Sequence, residues 1–312
     1  MSSRGNISEA SPHYHTSQSV FAIHVVGSTT LLVTGILVNA FSIGVIIRLK
    51  LYRETSVLFT LHLMFVNLTA IIIGMPLALL NSFHPIVKKD MFCRMSGFIV
   101  FGLIGVQMCN ITLLSVSAYV KVAQGTFGKV IFSRTRNTVS CLVFIWVLPF
   151  ANMSMPMSEI WGEFAVSLHQ PWCFPFSGTY GTFLVCFTLV VTLSALLFSY
   201  VGIVRTVVRS RRKVEAANQL PRQNRKKFIN ERQLIITLII MATSYIILFL
   251  PSGLLPVTDP DSRLGVDLHV IFTYIMWSQN VVETLIYSVL HTKIRHGIKL
   301  FFICKKADTV LG

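Results

Sequence analysis

The sequence predicts an all-α membrane protein, a seven-transmembrane helix bundle followed by a short amphipathic eighth helix. Three observations lead there: a strongly apolar composition, seven long apolar stretches, and positive charge gathered on one side of them. Of 312 residues, 53% are hydrophobic and only 12% charged, against about 25% charged in an ordinary soluble domain. Apolar surface on this scale needs lipid against it, and that excludes the pair of soluble domains that length alone would allow.

A bilayer core of about 30 Å takes roughly 20 mostly apolar residues per helical span. Seven stretches qualify: 20–47, which carries no charge, then 56–80, 92–122, 138–157, 178–208, 233–257 and 265–290. Turn signals such as His84-Pro85 and Pro260-Asp261 separate them. The expected division is an extracellular tail (1–19), the seven-span domain (20–290), the amphipathic helix (291–304) and a cytoplasmic tail (305–312). Met1 to Gln18 is polar and has no apolar core, so the first span is expected to direct insertion.

The net charge of +15 raises the question of nucleic-acid binding. Its distribution answers it. Of 27 Lys and Arg residues, 22 fall in the one-two, three-four and five-six connections and after the seventh span, leaving Arg4, Lys88, Lys89, Arg94 and Arg263 on the other side. Lys and Arg near span ends mark the cytoplasmic face, so the N-terminus is expected outside the cell and the tail inside. The charge is thus a topology signal, with attraction to anionic membrane lipid, and no nucleic-acid partner is expected.

After the seventh span, Ile294, Ile298 and Phe301 share one helical face while Lys293, Arg295 and Lys299 lie elsewhere around it. Such a segment rests in the membrane interface. Cys304 at its end either carries a palmitoyl chain or stays unmodified. Asn6-Ile7-Ser8 is the sequon expected outside, so Asn6 is the candidate glycosylation site.

Landmarks within the spans sharpen the reading. Gly35 and Asn39 stand in the first, Trp146 in the fourth, Tyr200 in the fifth, Glu231 at the inner end of the sixth and Pro251 within it, and Tyr287 in the seventh; Cys93 opens the third and Cys173 lies in the four-five connection. In order and spacing this pattern resembles the rhodopsin-like (class A) G-protein-coupled receptors, from about Phe21 to Phe302. The resemblance implies a Cys93–Cys173 disulfide, which persists in an oxidising compartment. It also implies a plasma-membrane receptor with an extracellular ligand, a heterotrimeric G protein and arrestin as cytoplasmic partners, and no enzymatic activity or cofactor.

Departures from the family pattern bear on mechanism. The acid-Arg-Tyr triplet at the inner end of the third helix reads Ser117-Ala118-Tyr119. Ala118 provides neither the G-protein contact nor the restraint on the sixth helix that the resemblance assigns to Arg, and Glu231 loses its usual partner. Lys121, one turn on, is a partial substitute or a plain surface lysine. The family's buried Asp in the second helix is Asn67, and its Asn-Pro-x-x-Tyr motif reads Glu283-Thr284-Leu285-Ile286-Tyr287. Acid and amide look exchanged between facing helices. An intramembrane carboxylate is costly and turns to the bundle interior, so Glu283 is expected to bond Asn67 and to be partly protonated. Pro251 predicts a kink in the sixth helix.

By the same resemblance the ligand cavity is lined by Val100, Phe101, Ile104, Leu184, Thr188, Phe249, Ser252, His269, Thr273 and Trp277, with Phe174 covering. Val100 stands where amine receptors carry an Asp, so a cationic amine lacks its counter-ion. The seventh span holds no lysine, which excludes a covalently bound retinal. Apolar walls with few polar groups suit a neutral or lipid-like small molecule, while a peptide remains an open alternative. Two functions compete: a receptor signalling to G proteins, and a decoy or scavenger that kept the fold and lost coupling with its Arg. Neither an enzyme nor a transporter finds support, since closely spaced Cys and His ligands and inverted repeats are missing from the sequence.

Overall fold

The computed structural model describes residues 18–83, 91–123, 135–167, 170–175, 179–216, 222–259 and 263–302. Helix α1 is Gln18–Arg48; α2 runs as Thr55–Thr69, a π-helical segment Ala70–Gly74, and Met75–Phe83. Then follow α3 (Met91–Ala123), α4 (Thr135–Met157), α5 (Thr179–Ala216), α6 (Arg222–Thr258), α7 (Val266–Leu290) and α8 (Thr292–Phe302). Between α4 and α5 lie two short antiparallel strands, β1 (Ala165–Ser167) and β2 (Gln170–Phe174).

Among the described residues, five helices are long and apolar enough on their own to cross a membrane: Ala22–Arg48, Thr55–Leu77, Met91–Val120, Arg136–Met157 and Thr179–Thr206. The apolar part of α6 is shorter, Ile239–Leu255. Helix α7 is diluted by Gln279, Asn280 and Glu283, all buried, so it belongs to the bundle by facing protein. Lipid-facing side chains such as Val26, Phe65, Val143 and Phe198 are exposed and apolar, as a hydrocarbon solvent requires.

The π-helical segment in α2 has a local cause. Pro76 has no N–H for the Ile72 carbonyl and its ring crowds that carbonyl, and a wider turn just before it relieves the clash. Helices α5 and α6 both run past the spans expected from hydropathy, to Ala216 and back to Arg222. Their extra turns are basic, so an apolar window misses them while the backbone stays helical. The backbone also remains helical through Pro251.

Helix α3 is the hub, packed on α2, α4, α5 and α6, whereas the α4 and α5 backbones come close at few points and the Tyr180 hydroxyl of α5 reaches Asn152 of α4. Small residues let the hub approach closely: Gly105 lies against the Pro149 ring of α4 and Gly102 against Phe150, as membrane helices without a hydrophobic drive to associate require. At one end of the bundle, Cys93 and Cys173 form a disulfide with Cα atoms 5.5 Å apart, tying β2 onto α3. At the other, basic end, α8 turns off after His291, its Gly297 seated on Val45 of α1 and on Leu49 just beyond it, and Lys293 bonds Glu54 at 2.7 Å.

Candidate functional site

Two features could carry function: a cavity toward the disulfide end, and a polar seam through the middle of the bundle. The cavity holds about 750 Å³, within the roughly 300–1,000 Å³ of small-molecule sites. Val100, Phe101, Ile104, Leu184, Thr188, Phe249, Ser252, Thr273 and Trp277 line it, as does Phe174. Phe174 follows Cys173 in β2 and its ring packs 5.3 Å from Phe101, so the disulfide places the cover. Among the described residues, none that lines it is charged.

His269 does not line this cavity. Its Nε2 sits 2.9 Å from an Asp259 carboxylate oxygen, and Asp259 also accepts the backbone N–H groups of Arg263 and Leu264. That makes a latch between the ends of α6 and α7. The His269 hydrogen bond, helped by the two backbone bonds, holds the Asp259 carboxyl below its ordinary range. The expected wall residue is therefore drawn aside by an acid from the neighbouring helix end.

The seam begins at Glu283, fully buried on α7. Asn67 of α2 donates through Nδ2 to its Oε2 at 3.3 Å. Gln107 of α3 donates to Asn67 Oδ1 at 3.0 Å and also to Asn280 Oδ1. Asn280 in turn donates to the Trp277 carbonyl at 3.0 Å, linking seam to cavity floor. Asn39 of α1 donates to the carbonyls of Gly35 and Asn280 and accepts from Thr284 at 2.6 Å. Four helices thus meet through amides around one acid. Sequence reading singled out Asn39, Asn67 and Glu283; it missed Gln107, Asn280 and Thr284 as members. Their signal was available, since amides inside apolar spans are costly and turn inward.

A fourth missed residue, outside the seam, is His62 of α2. Trp146 donates from its indole to His62 Nε2 at 2.8 Å, and Asn110 of α3 lies 3.0 Å from Nδ1. This joins the α4 landmark to the hub.

Toward the basic end, Ser117 bonds the Leu114 carbonyl at 2.8 Å and Ala118 is buried in the apolar core. The Tyr119 ring fills the space left by Gly202 and packs on Phe198, 5.2 Å away. Tyr200 is hydrogen-bonded to Ser115. Gln233 of α6 donates to the Leu290 carbonyl of α7 at 3.0 Å, and Tyr287 stacks on His291 at 4.9 Å. Tyr245 stacks on Phe249 at 5.4 Å one helical turn from Pro251's own turn. Glu231 lies in α6, but its side chain is outside the described residues, as is that of Lys121. Asn6 and Cys304 are outside them altogether. No group of His, Cys, Asp and Glu suited to a metal ion occurs among the described residues.

A seven-helix bundle with a disulfide-tied cover, a cavity beneath it and a polar seam below that defines a membrane receptor of the rhodopsin type. The chain belongs to the seven transmembrane receptor (rhodopsin family), whose profile matches residues 38–287. Among solved structures it is similar to squid rhodopsin, with a TM-score of 0.77 at 17% identity, over 92% of this chain and 87% of that one. No curated protein sequence matches it significantly. As a family member it is a multi-pass membrane receptor with an extracellular ligand and a G-protein partner.

Proposed function

We propose that this receptor responds to a neutral or lipid-like small molecule and passes the signal to a heterotrimeric G protein at its basic end. The carrying observation is the cavity wall: about 750 Å³ with no charged residue along it among the described residues. Burying an unpaired charge there is expensive, so cationic amines and carboxylates are disfavoured against uncharged ligands. The charge distribution along the sequence supports an extracellular N-terminus at the plasma membrane, with Phe174 over the ligand. Val100, Phe101, Ile104 and Leu184 then supply apolar area, Thr188, Ser252 and Thr273 hydrogen bonds, and Phe249 and Trp277 the floor.

The test is G-protein activation in cells expressing the chain, challenged with neutral lipids, cationic amines and peptides. Activation by uncharged apolar compounds, lost in Val100→Asp, is the expected result. Activation by amines or peptides alone would overturn the ligand class. A second reading, a decoy that binds without signalling, is favoured by one residue: Ala118, where the family's coupling Arg stands.

A further inference from the structure

The cavity is not confined to the ligand position beneath Phe174. Along α3 its walls run from Ser96 to Val116, a length of about 30 Å at about 1.5 Å per helical residue. That is the thickness of a bilayer core, far more than a compact ligand needs. On its other side the cavity is walled by Phe144 and Leu148 of α4 and Phe187 and Val191 of α5. These same residues are outward-facing: Phe144 is 60% and Phe187 54% exposed. In a spanning helix, exposed apolar side chains at mid-depth meet lipid tails. One continuous space therefore borders both the buried floor at Trp277 and the hydrocarbon of the membrane. The α4 and α5 backbones each pack on the hub and come close to one another at few points. Toward the disulfide end the Tyr180 hydroxyl of α5 closes on Asn152 of α4, donating to its carbonyl at 2.9 Å and to its Oδ1 at 3.1 Å, so the opening lies deeper, beside Phe144 and Leu148.

The polar groups of this space are few and unevenly placed. The Thr188 and Ser252 hydroxyls face it without a hydrogen-bond partner among the described residues, while Thr273 is already engaged with the His269 carbonyl at 2.8 Å. Toward α4 the lining is apolar at Phe144, Leu148 and Pro149, with Asn152 one turn further out and engaged by the Tyr180 hydroxyl.

From this geometry we infer that the ligand is an uncharged single-chain lipid with a hydroxyl or carbonyl head, taken up from the bilayer through the gap between α4 and α5. Its head bonds Thr188 and Ser252 and its tail lies in the gap. The inference rests on the proposed ligand class and adds the route, the orientation and the lipid type. An anionic lipid is refused because no cationic side chain lines the path among the described residues. A ligand confined to water would have to pass Phe174 instead.

The probe is hexadecanol bearing a mid-chain diazirine, offered to the full chain reconstituted in phosphatidylcholine vesicles. Photolabelled peptides are mapped by mass spectrometry, and no G protein is needed for this readout. Saturable labelling is expected on the peptides of Met108 and Met276, displaced by unlabelled hexadecanol. Leu148→Trp or Val191→Trp, each filling the gap from a different helix, should cut it about tenfold or more, equivalent to at least 1.4 kcal/mol of lost occupancy. Val143→Trp, on lipid-exposed α4 surface outside the cavity, should leave it unchanged. Thermal unfolding checks that each variant is folded, and either gap variant suffices. Interior labelling that persists in both gap variants, or that is absent from the wild type, would overturn the route. Equal interior labelling by the matching diazirine palmitate would overturn the uncharged head. A receptor that labels as expected yet activates no G protein would leave this inference standing and sink only the signalling half of the proposed function.

Discussion

Exchanging the acid and the amide of the central seam, Asn67→Asp with Glu283→Asn, should cost the receptor less than its two single changes together. In the wild type the Asn67 amide donates to Glu283 at 3.3 Å, and both side chains are fully buried. Asn67→Asp alone sets two carboxyl groups face to face. Two unit charges about 4 Å apart repel by about 4 kcal/mol at an effective dielectric of 20, unless they hold one proton between them. Glu283→Asn alone shortens the side chain by a methylene and leaves the Asn67 donor unsatisfied, a loss of about 1–3 kcal/mol. The double variant restores one acid and one amide, now with the acid also facing Gln107, whose Nε2 is 3.0 Å from the Asn67 oxygen. The coupling should amount to about 1–3 kcal/mol in the double variant's favour. Thermal unfolding of the purified receptor, backed by surface expression, measures it. Losses that add within about 0.5 kcal/mol would refute a direct partnership between the two residues.

Other expectations follow from single sites. Gly105→Val drives two methyl groups into the Pro149 ring at the α3–α4 crossing and should destabilise by about 1–3 kcal/mol, read from the unfolding midpoint; an unchanged midpoint would mean the helices part freely there. Burial pushes the His291 imidazole down from 6.5 to about 4. Below pH 6.5 the unfolded chain gains a proton that the folded one refuses, so stability present above pH 6.5 is lost as pH falls toward about 4. His291→Phe should remove part of that acid sensitivity, and an identical pH profile would contradict it. Thr188→Val should weaken binding of an activating lipid about three- to tenfold, the worth of one neutral hydrogen bond, in a competition assay.

Much of the bundle was legible because spans are written in hydropathy and charge. All seven helices lie on the stretches read for them, five with apolar length to spare while α6 is shorter in its apolar part and α7 carries buried polar residues, and Cys93 and Cys173 are joined. The inner lengths of α5 and α6 were not legible in that way: Arg209 to Lys213 and Arg225 to Lys227 belong to helices for reasons of backbone continuity, which hydropathy does not register. The cavity walls followed from family resemblance at specific positions. His269 departed from them because Asp259, from a different helix end, captures its ring, a pairing that depends on how α6 and α7 converge. Gln107 and Asn280 each read as isolated amides along the chain, and only the bundle brings them around Glu283. The opening between α4 and α5 is legible in no residue at all. It arises because α4 and α5 each pack on α3 while their own contact, Tyr180 on Asn152, lies toward the disulfide end.

The central claim is that this receptor still couples to a G protein although Ala118, buried in the apolar core, stands where the family's Arg would be. Basal and lipid-stimulated G-protein activation in cells, comparing wild type with Ala118→Arg at matched surface expression, tests it most directly. The account predicts a stimulated response in the wild type, with raised basal activity because α6 lacks that restraint. A wild type silent toward every G protein, with activity gained only in Ala118→Arg, would contradict it and establish a decoy.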